Sequence, residues 1–80
     1  MILKSPKTIE ILSYLSGRKE PISKIARAVK VQYSFTSLVM KRLEKAGLVN
    51  KEEVGKLRII TLTDKGKQIS NKLNEIKSLL

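Results

Sequence analysis

Cysteine and histidine are both absent from this sequence of 80 residues. Without cysteine the chain can form neither a disulfide nor a thiolate zinc site. Without histidine it lacks the commonest general base and the usual nitrogen ligand of metals. The seven acidic residues are scattered along the chain, so no pair of carboxylates marks a catalytic or metal site. We therefore expect no enzymatic activity, no cofactor and no bound metal.

Long apolar segments are absent as well. The longest apolar runs are a few residues, too short to span a membrane, and residues 1–6 contain no apolar stretch of the kind found in signal peptides. A chain of this length has room for one core, and a hydrophobic content of 41% is sufficient for folding. We expect a single domain over residues 1–80, located in the cytoplasm.

Negative charge is scarce, because 17 Lys and Arg face seven Asp and Glu and leave a formal charge of +10. Such an excess favours a polyanionic partner. No block of five like charges occurs, so the charge belongs to a folded surface rather than to a tail. A solvated lysine-rich surface, common in thermophiles, is the alternative. The composition is typical of a hot or AT-rich source, archaeal or viral.

The order of predicted elements is three helices, a β-hairpin and a final helix, which is an α+β fold with mainly α-helix. Ser5-Pro6 predicts the start of the first helix and Gly17 its end, followed by a loop at residues 18–21. Ser23 is predicted to cap a short second helix. The connection at residues 30–32 is tight.

The third helix is predicted over residues 33–46, and with the second it forms a candidate helix-turn-helix. A helical wheel places one arc in the core: Thr36, Val39, Met40, Leu43 and Ala46. Phe35 lies at the edge of that arc, and we expect it to pack partly in the core. The opposite face carries small, polar and basic side chains: Ser34, Ser37, Leu38, Lys41 and Lys45. Tyr33 and Arg42 flank this face.

This outward face suits a helix that enters the major groove of DNA. Small hydroxyl side chains allow close approach, and Leu38 can meet a thymine methyl. Lys41 and Arg42 can reach phosphate or guanine. Tyr33 and Ser34 stand at the helix N-terminus, where free backbone N–H groups can hold a phosphate. The alternative is a solvated helix with incidental lysines.

A hairpin follows, with a turn predicted at residues 52–56 and a return strand at 57–62. Gly55 can supply a positive φ in that turn. Lys56 and Arg58 are the predicted contacts of a wing over residues 50–60, along the backbone or in the minor groove. Glu52 and Glu53 argue against contact by the whole tip. The alternative is a hairpin that only closes the core.

Two segments resemble a known family. Residues 31–49, above all the ending Arg42-Leu-Glu-Lys-Ala-Gly-Leu-Val49, resemble the recognition helix and following strand of winged helix-turn-helix regulators. Residues 55–66 are similar to the wing strand and its Leu-Thr-x-x-Gly exit in the MarR-like branch. The order and spacing of these pieces over roughly residues 20–70 carry the resemblance. It implies a winged helix-turn-helix fold, binding to double-stranded DNA and a dimeric transcription regulator without a catalytic cofactor.

The chain departs from the family pattern at three places. It lacks the additional terminal helices with which MarR proteins dimerise and bind ligands, so we infer no small-molecule effector. Phe35-Thr36 stands where a small or polar residue and an aliphatic one are commoner. Gln32 occupies the usual cap position, where serine is commoner.

The last helix, residues 64–80 after a cap at Thr63, carries a stripe at the a/d spacing of a coiled coil: Ile69, Leu73, Ile76 and Leu80. This much apolar surface on a small domain favours a homodimer through the helix. The alternative is packing on the chain's own first helix and a monomer.

These observations predict a basic, nucleoid-associated transcription regulator of a prokaryotic cell. Two other functions remain open: an architectural protein that binds DNA with little sequence preference, and a winged-helix module that binds proteins only.

Overall fold

The structure is a computed structural model that describes residues 5–80, so most of the segment examined for a signal peptide, residues 1–4, lies outside it. Within residues 5–80 it contains four helices and three strands, and apart from the first strand they follow the predicted order. They are α1 (Pro6–Tyr14), β1 (Glu20–Pro21), α2 (Ile22–Ala28), α3 (Tyr33–Lys45), β2 (Val49–Val54), β3 (Leu57–Leu62) and α4 (Asp64–Leu79). The strands form one antiparallel sheet in the order β1-β3-β2. The predicted fold class, mainly helical α+β with a winged helix-turn-helix, is confirmed.

The sheet has one strand more than the sequence predicted. Residues 18–21 were expected to form a loop, but Glu20 and Pro21 pair with Ile60 and Ile59 of β3. Proline donates no hydrogen bond and is tolerated at the edge of a sheet. The short edge strand therefore ties the connection between α1 and α2 to the middle of β3.

The start of α2 and the end of α3 also differ from the prediction. Pro21, not Ser23, occupies the N-cap of α2, and it makes no side-chain capping bond. Ala46, predicted in the core, is exposed because it is the C-cap of α3. Gly47 follows with φ 79° and turns the chain away, in the left-handed conformation that glycine adopts without strain.

A core built from every helix and from β2 and β3 holds α3 in place. Thr36, Val39, Met40 and Leu43, predicted to face the core, are all buried. The Thr36 hydroxyl donates to the Gln32 carbonyl at 3.0 Å, so its burial leaves no polar group unpaired. The inner face of α3 is thereby fixed, and its opposite face points outward.

Polar side chains of α4 complete the C-terminal end of α1. The fully buried Ser70 donates its hydroxyl to the Leu12 carbonyl at 2.8 Å, and the Asn74 amide donates to the Ser13 carbonyl at 3.4 Å. The N–H of Ser16, which a continuing helix would direct to Leu12, donates to Ser13 instead. Since the last carbonyls of a helix need partners from outside it, α4 supplies them here.

The junction between α3 and β2 interlocks with the start of α4. Thr63 caps α4 by accepting from the Gly66 N–H, as predicted, and its hydroxyl donates to the Gly47 carbonyl at 2.7 Å. The Thr63 N–H donates to Leu48 at 3.0 Å. A Cβ on Gly66 would lie 2.0 Å from that same Leu48 oxygen. Glycine is therefore needed three residues after Thr63 for a steric reason, because only glycine lets α4 come this close to the Leu48 backbone.

Candidate nucleic-acid interface

The N-terminus of α3 is open to an anion. Gln32 is the N-cap, but its side chain makes no capping hydrogen bond. The Gln32 carbonyl accepts hydrogen bonds from both the N–H and the hydroxyl of the buried Thr36, so both donors of Thr36 are paired. The N–H groups of the first turn, at Tyr33 and Ser34, are among those a helix leaves without an internal partner. Together with the helix dipole they can hold a phosphate.

The structure brings the predicted residues of α3 to one outward face. Ser34, Lys41, Arg42 and Lys45 are exposed, and Ser37 is half-buried. Tyr33 and Leu38 keep 48% and 46% of their surface exposed. Phe35 is 39% exposed, so more than half of its surface is covered, which fits its predicted place at the edge of the apolar arc.

The cations of this face are not neutralised within the chain. In the described part of the protein, the cations that form ion pairs with carboxylates are Lys7, Arg18, Lys19, Lys24, Lys51 and Lys72. Within residues 5–80, neither Lys41, Arg42 nor Lys45 has a carboxylate within ion-pair distance. Glu44, on the same helix, points to Lys51 of β2 at 3.7 Å. The positive charge of α3 therefore remains available to an external anion.

The wing is a tighter hairpin than predicted. Glu52, Glu53 and Val54 were assigned to the turn, but they pair with Ile59, Arg58 and Leu57 across the two strands. Only Gly55 and Lys56 form the turn, and Gly55 has the expected positive φ, 60°. The β-hairpin pairing extends to its last residues because a two-residue turn suffices to reverse it.

The two predicted wing contacts are placed differently. Lys56 lies in the exposed turn, and within residues 5–80 it makes no ion pair. Arg58 is exposed, but it stands opposite Glu53 in the β2–β3 ladder. The negative charge of Glu53 partly offsets the positive charge of Arg58. Val54 and Leu57, about half exposed, complete the tip. Of the two cations, Lys56 is therefore the less shielded by a neighbouring carboxylate.

Two further cations, Arg27 and Lys30, were not predicted as site residues. Arg27 lies in the last turn of α2, and Lys30 begins the connection to α3 with a positive φ of 59°. Both are exposed and, among residues 5–80, form no ion pair. The helix before a recognition helix crosses the DNA backbone in helix-turn-helix proteins. The signal that could have found them was the basic spacing Lys24, Arg27 and Lys30 on a short helix and its exit.

Glu20 shows the opposite arrangement, with its charge satisfied inside the chain. Its buried carboxylate accepts from the Tyr14 hydroxyl at 2.5 Å and from Arg18 at 3.1 Å, and Lys24 lies 4.0 Å away. Burial acts to raise the pKa of Glu20, but those hydrogen bonds and the charges of Lys24 and Arg18 outweigh it, so the pKa is lowered. Arg18 also stacks 4.4 Å from the centre of the Tyr14 ring. This cluster joins α1 to the sheet.

The apolar stripe of α4 divides between two environments. Ile69 and Leu73 are half-buried and pack against the chain's own core. Ile76 and Leu80 are exposed, and Leu79 beside them is 85% exposed. Packing on the chain's own helices, weighed above as an alternative, therefore accounts for the first half of the stripe and leaves the second half uncovered.

Neither of two other site classes is seen in the part of the chain that the structure covers. Among residues 5–80, no helix is long and apolar enough to cross a membrane. Across the same range, no three His, Cys, Asp or Glu side chains are grouped so that they could hold a metal ion.

Comparison with known proteins gives one similar sequence and several similar folds. An uncharacterised protein of the archaeon Archaeoglobus fulgidus is 33% identical over 84 residues, covering 99% of this chain and 88% of its own. The crystal structure of AF1382 from Archaeoglobus fulgidus superposes with a TM-score of 0.88 at 32% identity, covering 98% of this chain and 91% of that one.

Structures of larger regulators share the fold at lower identity. The adhesin competence repressor AdcR of Streptococcus pyogenes has a TM-score of 0.85 at 17% identity, covering 92% of this chain and 57% of its own. The MarR family transcriptional regulator SPO1453 of Silicibacter pomeroyi has a TM-score of 0.82 at 19% identity, covering 91% and 54%. The fold of this protein is thus the one found in MarR-family regulators. The winged helix-turn-helix family model matches residues 7–80, and the chain belongs to the winged helix-turn-helix family.

Proposed function

We propose that this protein is a DNA-binding transcription regulator that reads the major groove with α3. The observation that carries the proposal is the outward face of α3, where Lys41, Arg42 and Lys45 are exposed and, within the described residues, free of carboxylates. A cationic helix that its own chain does not neutralise is what a phosphate-lined groove attracts. The family to which the chain belongs supports the same reading.

Each end of α3 has a distinct part in this proposal. The open N-terminus at Tyr33 and Ser34 binds a phosphate, and Ser37 and Leu38 face base edges. Lys41, Arg42 and Lys45, further along the helix, bind backbone phosphates or guanine. The wing contributes Lys56 and Arg58 to the backbone or the minor groove beside it. Arg27 and Lys30 add phosphate contacts from the preceding helix.

We further propose that the chain acts as one DNA-binding domain and dimerises through α4. Ile76, Leu79 and Leu80 form an exposed apolar end on a helix that is otherwise anchored. A second copy of the chain would cover this end, and its contact would continue onto the partly buried Ile69 and Leu73. A dimer would place two recognition helices about 34 Å apart, on successive turns of the same DNA face, and would join their binding energies.

The DNA proposal is tested by selecting duplexes from a random pool and measuring binding by fluorescence anisotropy. Lys41→Ala should weaken binding about fivefold to tenfold, because one charge-assisted contact to phosphate or base is lost. Lys72→Ala is the matched control, since it removes the same charge from α4, where Lys72 pairs with Glu75. Equal losses for the two variants would mean that net charge, and not the α3 face, binds DNA.

The same selection separates the competing functions. A specific regulator should enrich one motif and lose affinity when that motif is scrambled. An architectural protein should bind scrambled and selected duplexes alike, with a similar dependence on salt. A protein-interaction module should retain no DNA even at low salt. Specific enrichment would also fit a nucleoid-associated protein in the cytoplasm of an archaeal cell, the kind of source to which its relative belongs.

The dimer is tested by sedimentation of Ile76→Lys. Ile76 is more than half exposed, so a lysine there should abolish a dimer and leave the fold intact. Leu73→Lys is a poorer choice, because Leu73 packs against the chain's own core and its loss would also lower stability. An unchanged sedimenting mass for Ile76→Lys would remove α4 as the dimer interface.

A further inference from the structure

The two halves of α3 differ in their chemistry. Residues 31–40 contain no charged side chain, although 30% of the whole sequence is charged. Three large side chains in this uncharged half are left exposed, namely Tyr33, Phe35 and Leu38, which we call the exposed trio. All the unpaired cations of α3 lie after them, from Lys41 onward. The N-terminal half of the helix is therefore uncharged, with large side chains exposed, and its C-terminal half is cationic.

The exposed trio leaves much of its surface in water. Phe35, Leu38 and Tyr33 are 39%, 46% and 48% exposed. The neighbouring positions Thr36, Val39 and Met40 fill the core instead. Large apolar side chains in water at three positions within six residues lower solubility unless a partner covers them.

The side chains that usually read guanine are missing from this half of the helix. Arginine and lysine bind guanine by its two acceptors, but residues 31–40 contain neither. The outward hydroxyls of Ser34 and Ser37 can bond to either base pair. The apolar group that a base pair displays in the major groove is the C5-methyl of thymine, and apolar side chains bind it.

We propose that Phe35 and Leu38, the two members of the exposed trio that lie three positions apart and therefore on one side of α3, read thymine methyl groups, so that the DNA recognised by this protein carries thymines at the bases facing the first half of α3. This inference rests on the proposed function, because it specifies the DNA that the same helix binds. DNA is favoured over a protein partner because unpaired cations follow the trio on the same helix. In helix-turn-helix proteins it is the N-terminal part of the recognition helix that meets base edges.

The test compares thymine with deoxyuridine, which lacks only the C5-methyl. The duplex enriched by selection is synthesised in two forms. One keeps the thymines of its half-sites, and the other has deoxyuridine in place of each of them. The wild-type chain should bind the deoxyuridine duplex more weakly, by about fourfold for each methyl group that is buried. Leu38→Ser and Phe35→Ser should bind the thymine duplex more weakly and distinguish the two duplexes less than the wild type does.

A matched control comes from the wing. Val54 is as exposed as Leu38 but lies on β2, so Val54→Ser should retain the full preference for thymine over deoxyuridine. Circular dichroism checks that the variants of α3 are folded, and the wild-type comparison requires no variant at all.

The outcomes separate this inference from the proposal on which it rests. A wild-type protein that binds its selected duplex equally with thymine and deoxyuridine would overturn the thymine inference and leave DNA binding intact. A selected motif without thymine in its half-sites would do the same. Absence of binding to every duplex at low salt would overturn both. A thymine preference that survives in Leu38→Ser and Phe35→Ser would also overturn the role of these two side chains.

Discussion

Where α1 meets β1 and α4, buried polar groups are paired within the chain, whereas the outward face of α3 and the tip of the wing carry exposed cations that have no carboxylate partner among residues 5–80. On the first side, Glu20 has three partners and Ser70 completes the end of α1. On the second, the cations of α3 have no carboxylates among the described residues. We therefore expect substitutions on the first side to change the stability of the fold. Substitutions on the second side should change DNA binding without changing stability.

The largest effect is expected for Gly66→Ala on the satisfied side. The new Cβ would lie 2.0 Å from the Leu48 oxygen, so the backbone must move and the bond from Thr63 to Leu48 is lost. We expect a loss of at least about 2 kcal/mol, even after the helix propensity gained by removing glycine. Thermal unfolding should show a decrease in Tm of at least about 8–16 °C.

The control for Gly66→Ala is Gly17→Ala. Gly17 has a positive φ of 69° but nothing within 4 Å of an added Cβ, so only backbone strain should appear, about 1 kcal/mol. Equal losses at the two positions would show that close approach to Leu48 is not what requires glycine at position 66.

Ser70→Ala should have the next largest effect. It leaves the buried Leu12 carbonyl without its hydrogen bond, which costs about 1–2 kcal/mol. Ser78→Ala is the matched control on the same helix, because the exposed Ser78 hydroxyl donates only to the Glu75 carbonyl one turn earlier. Denaturant unfolding at one protein concentration checks both, since a dimer makes stability depend on concentration. Similar stabilities for the two variants would contradict the role of Ser70 at the end of α1.

Lys56→Ala tests the unsatisfied side. It should weaken binding to every duplex by a similar factor and should lower the slope of log affinity against log salt by about one. Its Tm should stay within about 2–4 °C of the wild type, as expected for a surface change away from the core. If Lys72→Ala reduces the salt slope as much, the distinction between paired and unpaired lysines has no bearing on DNA binding.

The smallest effect is a dependence of stability on pH, carried by Glu20. Its pKa is lowered in the folded state, because hydrogen bonds from Tyr14 and Arg18 and the nearby cations outweigh the effect of burial. A lowered pKa stabilises the folded state above the ordinary value of about 4.5 and loses that contribution as the pH falls through the folded value. The difference in Tm between wild type and Glu20→Gln should therefore shrink as the pH falls below about 4.5. A difference independent of pH would mean that Glu20 acts without its charge.

Local signals in the sequence predicted much of the fold. Ser5-Pro6, Thr63 and the glycines at 17, 47 and 55 act through their own backbone and immediate neighbours, and the structure places all of them as expected. The prediction that Ser23 caps α2 was wrong, because Pro21 and the pairing of β1 set the start of α2 two residues earlier. A strand of two residues has no periodicity of its own, so its pairing with β3 could not be predicted from residues 18–21.

For the candidate site, the helical period was sufficient to separate the inner and outer faces of α3. It could not decide positions at the helix end, as Ala46 shows. Nor could it divide the stripe of α4 into the half that packs on the core and the half that stays exposed. The wing contacts, the bases read and the dimer stay predictions.

The sequence by itself determined the periodic helices, their caps and the excess of positive charge, because these depend on residues close together in the chain. Only the tertiary structure decided which charges remain unpaired, which end of α4 is left uncovered and why residue 66 is glycine. Those properties depend on contacts between residues far apart in the chain, such as Gly66 with Leu48 and Ser70 with Leu12, and such contacts leave no periodic signal in the sequence.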